Sequence, residues 1–221
     1  MKTTNQRVNV PTQVFASYQD RESKYLFIES HFKKYLKDAT SVLDIGCDDN
    51  KLKSRWGSKV LGIDIGGNPD QIVNLEQEKL SRFDNASFDL LVCIDLLEHI
   101  DNLHAVLDDM IRVSKSRIII SLPNCGHFFR IMPVVFGIST GKYYGLPVDP
   151  PKDRHKWYFT WRELHHFFKV YAKRNNLLIE SEFLSYGYRS VIRRVLLKIV
   201  SFVLPITTFS QGYWIVLKKP Q

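Results

Sequence analysis

At 221 residues and 25.8 kDa, the chain has the length of one domain built around one sizeable core. Apolar residues at 44% and charged residues at 24% are the proportions of an ordinary soluble globular protein. The formal charge of +8 is uneven: residues 151–221 carry 13 Lys+Arg against 4 Asp+Glu, while residues 1–150 carry 18 against 19. Such asymmetry suits an anionic substrate, a membrane surface, nucleic acid or simply a solvated basic face. The N-terminus has no apolar stretch of the kind that marks a secretory signal. Cys47, Cys93 and Cys125 form no CxxC pair and sit inside apolar runs, as buried reduced thiols do. The expected location is the cytoplasm.

In chain order, short apolar runs alternate with longer mixed segments in a βα rhythm. YLFIESHFKKYL (25–36) has helical apolar spacing. SVLDIG (41–46) and KVLGIDI (59–65) are the first two strands, and QIVNLE (71–76) is a short third strand reached through a GGNP turn. FDLLVCID (88–95) is the fourth strand, DNLHAVLDDMIRVS (101–114) a helix, and RIIISLPN (117–124) the fifth strand. TWRELHHFFKVYAKRN (160–175) is a helix with Thr160 as N-cap and Glu163 completing a capping box. LLIESEFL (177–184) and GYWIVLKK (212–219) close the sheet. The nearly continuous Val/Ile/Leu character of the central runs predicts a parallel sheet covered by helices on both faces. Neither a linker nor an internal repeat interrupts the chain, so 1–221 reads as a single domain. Its longest weakly patterned stretch, 125–159, is a candidate lid or acceptor-binding insertion.

In a doubly wound sheet, ligands sit beyond the carboxyl ends of the strands where the strand order reverses. The turn after the first strand, SVLDIGCDDNK (41–51), has the place of a nucleotide loop but only one glycine, Gly46. Asp64, which closes the second strand, stands where a carboxylate can accept hydrogen bonds from both hydroxyls of a ribose.

The segments VLDIGC, VLGIDI, FDLLVCIDLLEHIDN and RIIISLPN resemble, in sequence and spacing, the class I S-adenosylmethionine-dependent methyltransferases. The nearest group is the methyltransferase-domain group that includes ubiquinone-pathway O-methyltransferases and MetW-like proteins. The resemblance covers about residues 38–184 and implies a Rossmann-like, doubly wound α/β fold. Its sheet has seven strands in the order 3-2-1-4-5-7-6, the last antiparallel. It further implies that Asp44 and Gly46 hold the methionine end of S-adenosylmethionine, Asp64 the ribose and Ile65 the adenine face. Asn74 and Leu75 then meet the adenine edge, and Asp95 and Leu96 lie beside the sulfonium and the acceptor. The family loop is D-x-G-x-G-x-G, and here Asp48 and Asn50 replace its second and third glycines. Asn tolerates a left-handed backbone. Asp48 is the harder substitution, because it places a carboxylate near that of the cofactor.

On the acceptor side, the base candidates are His99, with Glu98 beside it in DLLEHI, and His155 in DRHKWYFTW. Some relatives bind a divalent cation through an E-x-x-E-H motif on this turn. Here the corresponding residues are Asp95, Glu98 and His99, with His155 able to approach them. The EH pair is common without metal in the wider family, so no metal is assigned. Tyr143, Tyr144, Trp157, Tyr158 and Trp161 are candidates to line an aromatic acceptor pocket. The stretch 190–204 is amphipathic and too short to span a membrane; it covers the sheet or makes a peripheral membrane contact.

The expected function is methyl transfer from S-adenosylmethionine to an oxygen or nitrogen of a small molecule or saccharide. The alternatives are a non-catalytic, MetW-like partner protein and, last, an RNA methyltransferase, since no RNA-binding module is visible.

Overall fold

Apolar side chains alternating with a period of two build the sheet. β2 (Val42–Ile45) sends Leu43 and Ile45 into the core on one face and Val42 into the core on the other. β5 (Phe88–Ile94) and β6 (Ser114–Pro123) continue the alternation, with Leu91, Cys93, Ile118 and Ile120 on the first face and Leu90, Val92 and Ile119 on the second. All four residues of β2 are buried, as befits a parallel strand covered on both sides. The computed structural model describes residues 10–187, apart from 17, 19, 142 and 152, and residues 204–220.

β3 (Val60–Asp64) and β4 (Gln71–Ile72) extend the sheet to one side of β2, and β5 and β6 extend it to the other, all in parallel. β8 (Gly212–Lys218) inserts antiparallel between β6 and β7 (Leu178–Tyr186). The seven predicted strands therefore keep their predicted order. An eighth was not expected: β1 (Thr12–Phe15) pairs in parallel with β7 on the outer edge, Thr12 opposite Phe183. The seven-stranded expectation is corrected to eight. Four mostly exposed residues carry no alternation to read, and their partner lies near the other end of the chain.

One face is covered by α4 (Leu103–Val113) and α6 (Trp161–Arg174), the other by α1 (Arg21–His31), α2 (Lys33–Asp38) and α3 (Lys51–Trp56). The single helix expected over 25–36 is broken at Phe32, whose backbone leaves the helical region while its N–H still donates to the Ile28 carbonyl at 2.9 Å. The buried stripe Tyr25, Ile28, Phe32, Leu36 runs through the break. Burying side chains of this kind contributes about 1.5–3 kcal/mol each, which holds α1 and α2 on the sheet. The third strand is shorter than predicted. Only Gln71 and Ile72 pair, after which Asn74 accepts from the N–H groups of Gln77 and Glu78 and turns the chain away. Within 125–159, where no element was predicted, α5 (Phe128–Val135) forms with none of its side chains buried. The amphipathic stretch 190–204 lies outside the described residues except for Leu204. The three cysteines are free and buried, and no helix among the described residues is long and apolar enough to cross a membrane.

The capping box at α6 forms as predicted. Thr160 Oγ1 accepts from the Glu163 N–H at 3.4 Å, and Glu163 Oε2 accepts from the Thr160 N–H at 2.8 Å. Thr160→Ala should cost about 1 kcal/mol, read as a lower urea midpoint at unchanged slope.

Candidate active site

The strand order reverses between β2 and β5, so the chain leaves their carboxyl ends in opposite directions and opens a crevice there. Gly46 turns the chain out of β2 with φ +80°, and a Cβ there would lie 3.2 Å from the Leu96 side chain. Asp48 (φ +49°) and Asn50 (φ +56°) both adopt the left-handed conformation, so the backbone bends where the family uses glycine. Asn50 fits because Gly62 faces it: a Cβ on Gly62 would lie 1.9 Å from Asn50 Oδ1. The Asp48 N–H donates to Asp64 Oδ2 at 2.8 Å, so the altered loop still grips the acid at the end of β3.

Asp64 also accepts at Oδ1 from the N–H groups of Ile65 (2.6 Å) and Gly66 (3.2 Å). Three backbone donors fix the carboxylate, and a carboxylate has room for further hydrogen bonds. It borders a cavity of about 410 Å³ lined by Gly46, Ile65, Asn74, Leu75 and Leu96. Ile65 is 67% exposed there, an apolar platform without a covering group among the described residues.

A second cavity of about 480 Å³ adjoins the first and shares Gly46, Asp64, Ile65, Leu96, His99 and Asp153 with it. At its floor Asp95 is held in a left-handed conformation (φ +47°) by the end of β5. Its Oδ1 accepts from Ser121 Oγ at 2.6 Å, and its Oδ2 pairs with Lys24 of α1. Burial works to raise the Asp95 pKa, but the Lys24 ammonium and the Ser121 hydroxyl outweigh it and hold the carboxyl below its usual range.

Glu98 and His155 meet at the other wall. Glu98 is 1% exposed, and burial followed by the nearby Asp95 charge pushes its carboxyl well above the ordinary value. Its carbonyl accepts the Lys156 N–H at 2.7 Å, and the Trp157 indole donates to the Ile100 carbonyl at 2.7 Å, so the 153–158 strap is tied across the end of β5. His99 Nδ1 lies 2.6 Å from Asp153 Oδ1, and its Nε2 lies 3.8 Å from Glu98 Oε1. The His99 and His155 rings meet edge to face at 4.6 Å, and Tyr143 stacks on His155 at 4.2 Å. Burial, then the positive fields of His99 and Arg130, lower the His155 pKa to about 4, leaving the ring neutral.

The tautomer of that ring follows from its neighbour. Tyr144 Oη lies 2.7 Å from the Trp157 carbonyl oxygen, which can only accept, so the phenol proton goes there. Toward His155 Nδ1, 3.1 Å away, the phenol oxygen accepts. The imidazole proton therefore sits on Nδ1 and the lone pair on Nε2.

Of the residues singled out in the sequence, Gly46, Asp64, Ile65, Leu96 and His99 line both cavities. Asn74 and Leu75 line the first, and Asp95, Glu98 and His155 the second. Asp44 lines neither. The strand alternation turns it to the α1 face, where it is 1% exposed beneath Tyr25, with Oδ2 buried and unpaired. Lys24, Arg130 and Asp153 also line the second cavity and were not anticipated. Lys24 left a trace in the sequence, since it stands four residues before Ile28 on the face of α1 that packs inward. Arg130 and Asp153 lie in the stretch without periodicity and left none.

Glu98, His99 and His155 each offer a ligand atom, all within 4.8 Å of one another. Carboxylate and imidazole donors of this kind suit a divalent cation. The cleft also suits S-adenosylmethionine. Its carboxylates match a sulfonium, Asp64 is held by three backbone donors, and Ile65 offers an apolar face.

Comparison with known proteins agrees with this geometry. The methyltransferase-domain family matches residues 15–171, most of the chain. The chain is 26% identical over 148 residues to a ubiquinone biosynthesis O-methyltransferase of Pectobacterium carotovorum subsp. carotovorum, a match covering 52% of this chain and 62% of that one. It thus spans less than two thirds of this relative. A SAM-dependent methyltransferase from Archaeoglobus fulgidus shares the fold with TM-score 0.61 and 17% identity, covering 89% of this chain and 99% of that one. The magnesium protoporphyrin IX methyltransferase of Synechocystis PCC 6803, solved with bound SAH, superposes with TM-score 0.55 and 13% identity, over 92% and 90% of the two chains. The chain belongs to the methyltransferase-domain family and has the class I S-adenosylmethionine-dependent methyltransferase fold.

Burial, then the Asp64 charge, raises the Asp44 carboxyl from 3.8 to about 7. A folded-state pKa above the unfolded value means the associated stability is fully present below about pH 4 and lost as pH rises through about 7. Asp44→Asn should therefore stabilise the ligand-free protein at about pH 8, by on the order of 2–4 kcal/mol, with the gain gone near pH 4. Urea midpoints at the two pH values check this.

Proposed function

We propose that the protein transfers a methyl group from S-adenosylmethionine to an oxygen or nitrogen of a compact small-molecule or saccharide acceptor. The observation that carries this reading is the neutral His155, with its Nε2 lone pair set by Tyr144, close beside Glu98 in the same cavity that Asp64 borders. When bound, S-adenosylmethionine supplies a methyl carbon on a sulfonium leaving group, which departs as S-adenosylhomocysteine.

Asp64 takes the ribose hydroxyls, and Ile65 and Leu75 give the adenine an apolar seat. Lys24 neutralises Asp95, so the floor beneath the reacting atoms is polar without holding a bare carboxylate. His155 Nε2 receives the proton from a hydroxyl acceptor as the new C–O bond forms and the C–S bond breaks. The strap carrying His155 shuts water from the cleft and orients the acceptor. Such positioning is worth roughly 7–11 kcal/mol of the barrier, and the base a further 10²–10⁴-fold. A non-catalytic relative would keep a buried, depressed histidine and a buried glutamic acid at a cost in stability and without a use for them. Two buried ionisable groups argue for chemistry.

S-adenosylhomocysteine should bind with a dissociation constant on the order of micromolar, about −8 kcal/mol. Asp64→Ala should weaken it by about 1.5–3 kcal/mol in calorimetric titration. No heat at about millimolar ligand, about −4 kcal/mol, would sink the reading. His155→Ala should slow S-adenosylhomocysteine release from a phenol and saccharide acceptor panel about 10²-fold or more. Its cofactor affinity should stay nearly unchanged.

The Glu98, His99 and His155 cluster supports a second reading, in which these three hold a divalent cation and His155 is a ligand instead of a base. Activity lost on chelation and restored by Mn²⁺ would select it.

A further inference from the structure

The second cavity holds five carboxylates, those of Asp48, Asp64, Asp95, Glu98 and Asp153, and two cationic side chains, Lys24 and Arg130. Lys24 is committed to Asp95. Arg130, on the first turn of α5, forms no ion pair among the described residues despite the acids around it. Its guanidinium lies over the Tyr144 ring, 5.9 Å from the centroid, and its Nη1 makes a long 3.7 Å contact with the Cys125 thiol. Neither contact satisfies a planar fork of five donors, the group best matched to a carboxylate by paired hydrogen bonds.

The neighbours of this guanidinium decide which end of the cleft it serves. His155 belongs to the strap, Cys125 to the turn after β6 and Tyr144 to the segment between them, and the positive field of Arg130 reaches the His155 ring. Among the described residues no hydrogen bond or ion pair joins Arg130 to the loop 46–50 or to Asp64, which the methyl-transfer reading gives to the cofactor. A cation beside the candidate base, with no carboxylate partner among the described residues, calls for an anion supplied by a ligand.

We propose that Arg130 recognises a carboxylate carried by the methyl acceptor, so that acceptors are small organic acids with the reacting group beside His155. This rests on the methyl-transfer reading of the same cleft. The other source of a carboxylate is the methionine end of the cofactor, and the experiment separates the two. The stacked Tyr143–His155 pair gives an aromatic acid a flat wall beside the guanidinium.

Benzoate and its neutral isostere benzamide serve as probes, titrated into the full-length protein saturated with S-adenosylhomocysteine and followed by ligand-observed NMR. Benzoate should bind at least about tenfold more tightly than benzamide, the scale of a charge-assisted pair. Arg130→Gln should erase that preference and Arg130→Lys should restore part of it. Both variants should bind S-adenosylhomocysteine within about twofold of the parent, which also shows that they are folded. Equal binding of the two probes, no binding of benzoate, or a preference that survives Arg130→Gln overturns the proposal. So does a selective loss of S-adenosylhomocysteine affinity in Arg130→Gln at unchanged thermal stability, which would give the guanidinium to the cofactor. If the unaltered protein binds no S-adenosylhomocysteine, the methyl-transfer reading fails first and this proposal falls with it.

Discussion

The parallel pairing of β2 with β5 is the constraint on which the rest of the molecule depends. Val42 to Ile45 run beside Leu90 to Cys93, and the sheet grows away from this pair in both directions. Because β2 leads on to β3 on one side and β5 to β6 on the other, the chains leaving this pair part. The crevice follows from connectivity. Its walls then include the first residues after each strand: Gly46 and Asp48 on one side, Asp95, Leu96, Glu98 and His99 on the other. The left-handed conformations of Asp48, Asn50 and Asp95 cluster here, where the backbone must bend sharply enough to leave room for a ligand.

The electrostatics of the crevice and the residues beneath it are organised around a surplus of carboxylates, held in three different ways. Asp64 is fixed by three backbone donors, Asp95 is neutralised by Lys24, and Asp44 and Glu98 are raised by burial toward the protonated form. Graded carboxylates next to a neutral histidine separate attraction for a cationic group from capacity to take a proton. The same burial that tunes these groups silences the thiol beside them. Burial, then the charge of Asp44, pushes Cys47 up to about 12, so it stays protonated and unreactive.

The N-terminal helices couple crevice and core. Tyr25, Ile28, Phe32 and Leu36 fasten α1 and α2 to the second face of the sheet, and this docking carries Lys24 to Asp95. Lys24 also stands over the Tyr18 and Trp214 rings at 5.3 and 5.7 Å, so its position is set by aromatic packing as well as by charge.

The sequence by itself determined the sheet and the half of the site that hangs on it. Buried parallel strands are written as local Val/Ile/Leu runs, and the residues that follow them, Gly46, Asp64 and Asp95, inherit a fixed place at the strand ends. Thr160 and Glu163 were legible for the same reason, since a capping box is a contact between residues three apart. What only the tertiary structure decided depends on contacts between residues far apart in the chain. β1 exists because β7 offers it an edge, Lys24 acts because α1 docks, and His155 reaches Glu98 because the strap is tied to the end of β5. Asp44 shows the limit from the other side. Its place in the loop motif was readable, but its burial under Tyr25 was not, because side-chain alternation fixes a face while only packing decides what covers it.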